Sequence, residues 1–99
     1  MSFELRFEPD ALKEWQALDK SVREPLKKKL AKRLEAPHVA NERLHHGLSN
    51  CYKVKNDKTG HRLIYRVIDE QVVVLVLAVG KRERLEAYLK AAQRNSAAN

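Results

Sequence analysis

The sequence predicts an α+β fold: a small antiparallel β-sheet, an N-terminal helical hairpin packed on one face of it, and a short C-terminal helix. Apolar residues recur at helical spacing over residues 12–34, and they alternate with polar residues over residues 51–68. An unbroken apolar run follows at residues 72–79, which is typical of a central strand buried on both faces. A chain of 99 residues supports one core, so we expect a single domain over residues 1–94 and a flexible tail over residues 95–99.

The first half of the chain is predicted to form one strand and two helices. Residues 3–8 alternate apolar and charged side chains, as a half-buried strand does. Residues 9–19 then carry apolar side chains at helical spacing, which predicts a short first helix. Ser21 and Glu24 have the spacing of a capping box, so we expect the second helix to begin there and to end at Pro37. Its apolar stripe consists of Val22, Leu26, Leu30 and Leu34.

The second half of the chain is predicted to form a three-stranded meander. CYKVK at residues 51–55 and HRLIYRVI at residues 61–68 both alternate, and the polar turn NDKTG lies between them. Strands that follow one another closely usually pair, so the apolar run beyond them is expected to be the third strand. The spacing of Leu85, Tyr88 and Leu89 then predicts the short C-terminal helix.

Composition favours a soluble protein that meets a polyanion or an acidic partner. Twenty Lys and Arg against thirteen Asp and Glu give a formal net charge of +7. Cys51 is the only cysteine, which excludes an internal disulfide and fits a reducing cytoplasm. Charged side chains within residues 4–10 interrupt the segment where an export signal would be apolar. Residues 72–79 are too few for a membrane helix, which needs about 20. We therefore expect a cytoplasmic protein that does not bind membranes.

The second helix has a cationic face opposite its apolar stripe. One interpretation is an ordinary solvated face. The other is a surface that contacts RNA phosphates, because clustered lysines bind the backbone without reading bases. The candidate RNA-binding residues are Lys27, Lys28, Lys29, Lys32 and Arg33.

The hairpin is predicted to concentrate positive charge on one face. A four-residue turn at residues 57–60 places Lys55 directly across from Arg62, with Lys53 on the same face. Such residues are usually ordinary exposed side chains. Like charges directly opposite each other, however, destabilise a sheet by up to about 1 kcal/mol per pair. Since the neighbouring strand delivers Arg82 to the same edge, we interpret the cluster as a functional site.

In these segments the sequence resembles the RelE family of bacterial toxins. The matching segments are CYKVK, GHRLIYRVID and VVVLVLAVGKRERLEAY, with ALKEW and VREPLKKKL in the helices, and together they span residues 3–92. The resemblance implies an endoribonuclease that cuts messenger RNA in the ribosomal A site. It also implies the catalytic set Lys53, Lys55, Arg62, Arg82 and Tyr88.

The resemblance further implies the partners. They are the ribosomal A site with its 16S rRNA and mRNA, and a cognate RelB-like antitoxin whose flexible segment folds on binding. No cofactor and no metal is implied. The related ParE toxins share this fold and inhibit DNA gyrase without nuclease chemistry, so gyrase inhibition is the alternative function. A module that binds nucleic acid without cutting it is a second alternative.

The cationic set suits RNA cleavage by the substrate's own 2′-hydroxyl, which attacks the adjacent phosphate without a metal. The reaction needs a base, an acid and positive charge around the phosphorane. The planar fork of Arg62 suits the last role, which Lys55 can share. Which of Lys53, Lys55, Arg82 and Tyr88 is the acid or the base stays open.

Other reactive side chains are given lesser roles. His61 alternates away from Arg62, and His45 and His46 lie in a connector without periodicity, so a catalytic histidine is not expected. Cys51 has no histidine beside it in sequence and is expected to be structural. Arg84 is expected to be a surface charge.

Overall fold

The computed structural model describes residues 2–45 and 47–98, apart from the side chains of Arg84 and Ala98. Its strands are β1 (Glu4–Phe7), β2 (Cys51–Asn56), β3 (His61–Ile68) and β4 (Val73–Lys81), and its helices are α1 (Pro9–Gln16), α2 (Lys20–Glu35) and α3 (Glu86–Ala98). Within the described ranges, none of these helices combines the length and apolar character needed to cross a bilayer.

The four strands form one sheet in the order β1-β4-β3-β2. β2, β3 and β4 pair antiparallel as the predicted meander. β1 joins the far edge parallel to β4, with Glu4 paired to Val73 and Phe7 to Val76. The sheet is therefore mixed, and the expectation of a wholly antiparallel sheet is wrong at this edge. The alternation of apolar and polar residues in β1 indicates a strand, but it is the same whether the strand pairs parallel or antiparallel with its neighbour.

The N-terminal helical hairpin packs on one face of the sheet, as predicted. α2 buries Val22, Leu26 and Leu30 against that face, so its predicted apolar stripe is confirmed. The helix begins at Lys20, one residue before the predicted capping box, and Asp19 is its N-cap residue. Asp is among the residues that favour this position.

β4 is the central strand and is buried on both faces, as predicted. It contributes Val76 to the core beneath α1 and α2, and Leu77 to a second core beneath α3. The strand runs over Val73–Lys81, so the predicted range of 72–79 begins one residue early and ends two residues early. The two additional residues lead the chain directly to the pocket described below.

α3 lies on the opposite face of the sheet and is longer than predicted. Residues 95–98, which we expected to be a flexible tail, continue the helix. Asn95 is only 4% exposed: it accepts a hydrogen bond from Arg66 and donates one to the Gly47 carbonyl, each at 3.3 Å. Polar packing of this kind leaves no apolar periodicity in the sequence, which is why the helix end was missed.

Val72 adopts a left-handed conformation with φ 56° and ψ 47°, and its side chain is 41% exposed. This conformation costs a non-glycine residue about 1–2 kcal/mol, and branching at Cβ makes valine poorly suited to it. Asn tolerates the conformation, as Asn50 does here at φ 61°. We therefore expect Val72→Asn to raise the free energy of unfolding by about 1 kcal/mol and the melting temperature by about 4–8 °C.

Thermal unfolding of the purified protein checks this expectation. Val39, at φ −90°, provides the matched control, because Val39→Asn relieves no strain and should give no gain in stability. A Val72→Asn variant no more stable than the wild type would contradict the assignment of strain to this turn.

Candidate active site

A pocket of about 820 Å³ opens on the α3 side of the sheet, and all five predicted catalytic residues line it. β2 contributes Lys53 and Lys55, and β3 contributes Arg62. Arg82 follows β4, and Tyr88 lies in the first turn of α3. The other residues of the wall are Arg43, Leu44, His45, Leu48, Asp57, Leu85, Leu89 and Ala92.

The register of the hairpin places the cations on the pocket side. Lys55 pairs with Arg62, and Lys53 pairs with Ile64, as the four-residue turn predicts. Gly60 closes that turn by donating its N–H to the Asn56 carbonyl at 2.8 Å, and its φ of 80° favours glycine. The residues that alternate with the cations enter the core on the other face, and these are Tyr52, Val54, Leu63, Tyr65 and Val67.

Arg62 is a buried cation in the pocket wall, with only 5% of its surface exposed. One guanidinium nitrogen donates to the His61 carbonyl at 3.0 Å, and the other lies 3.6 Å from the Asp57 carboxylate. Asp57 is 72% exposed on its side chain, so water screens this ion pair. The hydrogen bond to His61 uses one of the five N–H donors of the guanidinium. Arg62 therefore retains donors for an anionic substrate.

The two lysines of β2 differ in their ion-pair partners. Lys55 Nζ lies 3.4 Å from Glu42 Oε1. The second oxygen of Glu42 is buried and has no hydrogen-bond partner in the described part of the chain. For Lys53, the described residues place no carboxylate within ion-pairing distance. Lys55 is thus tethered by a carboxylate in a way that Lys53 is not.

Arg82 and Tyr88 are brought to the pocket by the segment after β4. The Arg82 N–H donates to the Gly60 carbonyl at 2.7 Å, which ties this segment to the turn of the hairpin. α3 then folds back so closely that a Cβ at Gly80 would lie 3.3 Å from the Ala87 nitrogen. Tyr88 is half-buried and packs against the second core. Glycine in β4 thus permits the approach that places Tyr88 in the wall.

Sequence reasoning missed the apolar wall of the pocket. Leu44 and Leu48 come from the connector before β2, and Leu85, Leu89 and Ala92 come from α3 and the turn before it. The last three have the i, i+4, i+7 spacing of one helical face, which was the available signal. Leu85 and Leu89 are 57% and 66% exposed. The pocket therefore has an apolar wall facing its cations.

The histidines occupy different positions. His61 does not line the pocket and is hydrogen-bonded to Thr59 Oγ1 at 2.9 Å. Burial and the charge of Lys81 lower the pKa of His61, so it is neutral at physiological pH. His45 does line the pocket, which its sequence context did not indicate. His46 lies outside the described residues, as does the side chain of Arg84.

Cys51 is fully buried beneath α3, as expected of a structural cysteine. Its sulfur lies 3.5 Å from the Ser49 carbonyl. Burial raises the pKa of the thiol to about 11, so almost no thiolate exists at neutral pH. Because the thiolate is the nucleophilic form, Cys51 is chemically inert here.

The cationic face of α2 divides into two groups. Lys29 Nζ donates to the Lys55 carbonyl at 2.5 Å, and Arg33 donates to the Lys53 carbonyl at 3.0 Å. These two side chains therefore provide hydrogen-bond partners for two backbone carbonyls of the edge strand β2. Arg33 also donates to the Tyr65 hydroxyl at 3.1 Å. The remaining candidates for RNA contact, all exposed, are Lys27, Lys28 and Lys32.

Residues 5–86 match the family model described as the ParE toxin of type II toxin-antitoxin systems, parDE. The chain belongs to this toxin family. Within it, the toxin is 51% identical over 94 residues to the mRNA interferase toxin RelE of Escherichia coli K12, which covers 95% of this chain and 98% of that relative. The resemblance to RelE-type toxins is thereby confirmed.

Solved structures confirm the fold class of the toxin. A double Arg-to-Ala variant of E. coli RelE in the free state has a TM-score of 0.86 at 49% identity, covering 95% of this chain and 98% of that chain. The toxin of the intact E. coli RelBE toxin–antitoxin complex has a TM-score of 0.79 at 51% identity, covering 84% and 100%.

Proposed function

We propose that this toxin is a metal-independent endoribonuclease that cleaves messenger RNA in the ribosomal A site. The observation on which the proposal chiefly rests is the convergence of Lys53, Lys55, Arg62, Arg82 and Tyr88 in one pocket. It is supported by the near full-length similarity to a relative that is named an mRNA interferase toxin.

The pocket offers the groups that cleavage by the 2′-hydroxyl needs. The 2′-oxygen loses its proton to a base and bonds to the adjacent phosphorus, while the bond to the 5′-oxygen breaks and that oxygen takes up a proton. The products are a 2′,3′-cyclic phosphate and a 5′-hydroxyl. Arg62 stabilises the negative charge of the phosphorane through its fork, and Lys55 adds a second positive charge.

The acid and the base for the two proton transfers come from Lys53, Lys55, Arg82 and Tyr88. Lys53 and Tyr88 can exchange protons in either direction. Among the described residues, no carboxylate pairs with Lys53 as Glu42 does with Lys55. Arg82 is the poorest proton donor of the set, since a guanidinium holds its protons at neutral pH. It therefore suits charge stabilisation better than acid catalysis.

The ribosome is the proposed co-catalyst. His45 is the one histidine among the described residues of the pocket wall, so these residues provide no histidine pair as acid and base. The toxin therefore depends on a substrate already bent for in-line attack, and ribosomal RNA can hold the message in that geometry. The exposed residues Lys27, Lys28 and Lys32 are positioned to contact 16S rRNA phosphates, so docking should be electrostatic. This action takes place in the bacterial cytoplasm.

The docking role of α2 predicts a salt-dependent effect of charge reversal. We expect Lys28→Glu with Lys32→Glu to weaken ribosome binding and to reduce the slope of log affinity against log salt by about 1 for each lost phosphate contact. Binding titrations across salt concentrations measure this slope. Arg6→Glu with Lys13→Glu changes the net charge equally in β1 and α1, outside this surface, and should leave the slope nearer to that of the wild type. Equal slopes for the two double variants would contradict docking through α2.

The second proposed partner is a RelB-like antitoxin. E. coli RelE has been solved with its antitoxin, and the present toxin has a net charge of +7 and an apolar pocket wall with exposed Leu85 and Leu89. An acidic, flexible antitoxin segment would cover or displace the helix that bears Tyr88 and neutralise the pocket. A crystal structure of the complex with Tyr88 in place and the pocket open would count against this arrangement.

Primer extension on a message being translated tests the proposed function. Purified toxin should produce cuts within the codon that occupies the A site, and Arg62→Ala protein should produce far fewer. DNA gyrase inhibition is the alternative, because the matching family model is named for ParE. A supercoiling assay with the same protein addresses it. Absence of A-site cuts would overturn the nuclease proposal, and gyrase inhibition in their place would establish the alternative.

A further inference from the structure

A second cluster of charged side chains joins three elements of the fold, and none of its members lines the pocket. Glu14 in α1 accepts a hydrogen bond from Arg94 at each carboxylate oxygen, both at 2.9 Å, and one from the Val79 N–H at 3.0 Å. Lys90 Nζ lies 3.1 Å from the same carboxylate. Arg94 also donates to the Leu77 carbonyl at 2.9 Å. This Glu14 cluster, formed by Glu14, Lys90 and Arg94, connects α1, β4 and α3.

The Glu14–Arg94 pair is well shielded, and its hydrogen bonds favour the charged form of both groups. The side chains of Arg94 and Glu14 are 15% and 19% exposed. Burial favours the neutral form of Glu14, but hydrogen bonds from Arg94, the Val79 N–H and Lys90 outweigh it, so the pKa of Glu14 lies below its usual value. Hydrogen bonding to Glu14 in turn raises the pKa of Arg94. A bidentate pair of this kind fixes orientation as well as distance.

Besides the Glu14 cluster, α3 is held by the partly buried ring of Tyr88, by the hydrogen bonds of Asn95 and by small apolar side chains. Among the side chains of α3 that the structure describes, the buried apolar ones are Ala87 and Ala91, each of which offers a single methyl group. Its larger apolar side chain, Leu89, is 66% exposed. Burial of apolar area is the main source of packing free energy, and these residues supply little of it. Polar contacts of α3 with the sheet and with α1 therefore decide where the helix lies.

The junction before α3 is strained. Leu85 has φ 55°, a left-handed conformation that is strained for a leucine, and it ends a three-residue turn. Tyr88 follows three residues later and precedes Lys90 by only two. The position of Tyr88 in the pocket is thus set from both sides: by the close approach of Gly80 and Ala87 before it and by the Glu14 cluster after it.

We propose that Glu14 and Arg94 are positioning residues for Tyr88: their ion pair holds α3 against β4 and α1, so that Tyr88 stays in the pocket wall where the RNA is cleaved. This inference rests on the proposed ribonuclease function. It gives α1, which contributes no residue to the pocket, a role in the reaction.

A double-mutant cycle on cleavage tests the inference. Glu14→Gln keeps an acceptor for the Val79 N–H but loses the ion pair, and Arg94→Lys keeps the charge but loses the fork. Single-turnover cleavage on programmed ribosomes should slow by about tenfold at saturating toxin for Glu14→Gln, with the half-saturating concentration unchanged. In a Tyr88→Ala background the same substitution should change the rate by less than about twofold.

Hydrogen exchange supplies a measurement that does not depend on cleavage. The amides of α3 should exchange faster in both variants, while those of β2 and β3 should not. Leu30→Val, which loosens the core beneath α2, is the matched control and should cleave at the wild-type rate below its unfolding temperature.

Two results would overturn the inference. One is that Glu14→Gln slows cleavage by the same factor in the wild-type and Tyr88→Ala backgrounds, and the other is that amide hydrogen exchange in α3 is unchanged in the variants. Failure of the wild-type protein to cleave would overturn the proposed function itself. If the wild type cleaves and the losses caused by Glu14→Gln and Tyr88→Ala are additive, only the positioning role is overturned. If Glu14→Gln does not fold, Arg94→Lys provides the same cycle.

Discussion

Arg62→Ala is expected to slow A-site cleavage by about 10²–10³-fold, the usual effect of removing one preorganised donor from developing negative charge. Arg62 is 5% exposed and lies in the pocket wall. Its only carboxylate contact among the described residues, Asp57, is largely exposed, so the substitution leaves no buried charge without a partner. Single-turnover cleavage on ribosomes, with thermal unfolding alongside, measures the effect.

Two further variants separate the role of Arg62 from a general effect of substitution in β3. Arg62→Lys keeps the positive charge but lacks the planar fork of the guanidinium. Its cleavage rate should lie between those of Arg62→Ala and the wild type. His61→Gln alters the adjacent residue, which does not line the pocket, and should cleave nearly as fast as the wild type. Wild-type rates for Arg62→Ala, or a thousandfold loss for His61→Gln, would contradict this assignment.

Tyr88→Ala is expected to lower the cleavage rate by about 10–100-fold or more, because the lost ring is worth about 1–3 kcal/mol if it stacks on a base and its hydroxyl is worth more if it transfers a proton. Tyr88→Phe distinguishes the two roles. A loss confined to Tyr88→Ala assigns stacking, whereas an equal loss in both variants assigns proton transfer. Single-turnover rates as a function of pH provide the measurement.

A Tyr88→Ala variant that cleaves within threefold of the wild type would contradict both roles of Tyr88. Leu89→Ala is the matched control on the same helix, since Leu89 lies in the apolar wall and has no proton to transfer. It should not reproduce any change that Tyr88→Phe causes in the pH profile.

The hairpin site could be predicted from sequence because its geometry depends on local features alone. The length of the turn sets the register, and alternation then assigns Lys53, Lys55 and Arg62 to one face. The position of Arg82 followed from the order of the meander. These steps need no knowledge of distant contacts, and the structure bears them out.

Other features depend on contacts that leave no periodic pattern. The parallel pairing of β1 is set by where the helical hairpin returns the chain, not by the residues of β1 itself. The full length of α3 reflects Asn95 and Arg94, whose partners are distant in sequence. The sequence predicts one charged surface on α2. In the structure, two members of that surface, Lys29 and Arg33, donate hydrogen bonds to backbone carbonyls of β2.

The claim that the pocket promotes attack by the 2′-hydroxyl is tested most directly with a message carrying a single 2′-deoxynucleotide immediately 5′ to the phosphate that is cut in the A site. On programmed ribosomes, the toxin should leave this message uncut. It should cut the all-ribose message to give a 2′,3′-cyclic phosphate and a 5′-hydroxyl. Cleavage of the deoxy-substituted message at the same position would contradict the account, since a nucleophile other than the 2′-hydroxyl would then be at work.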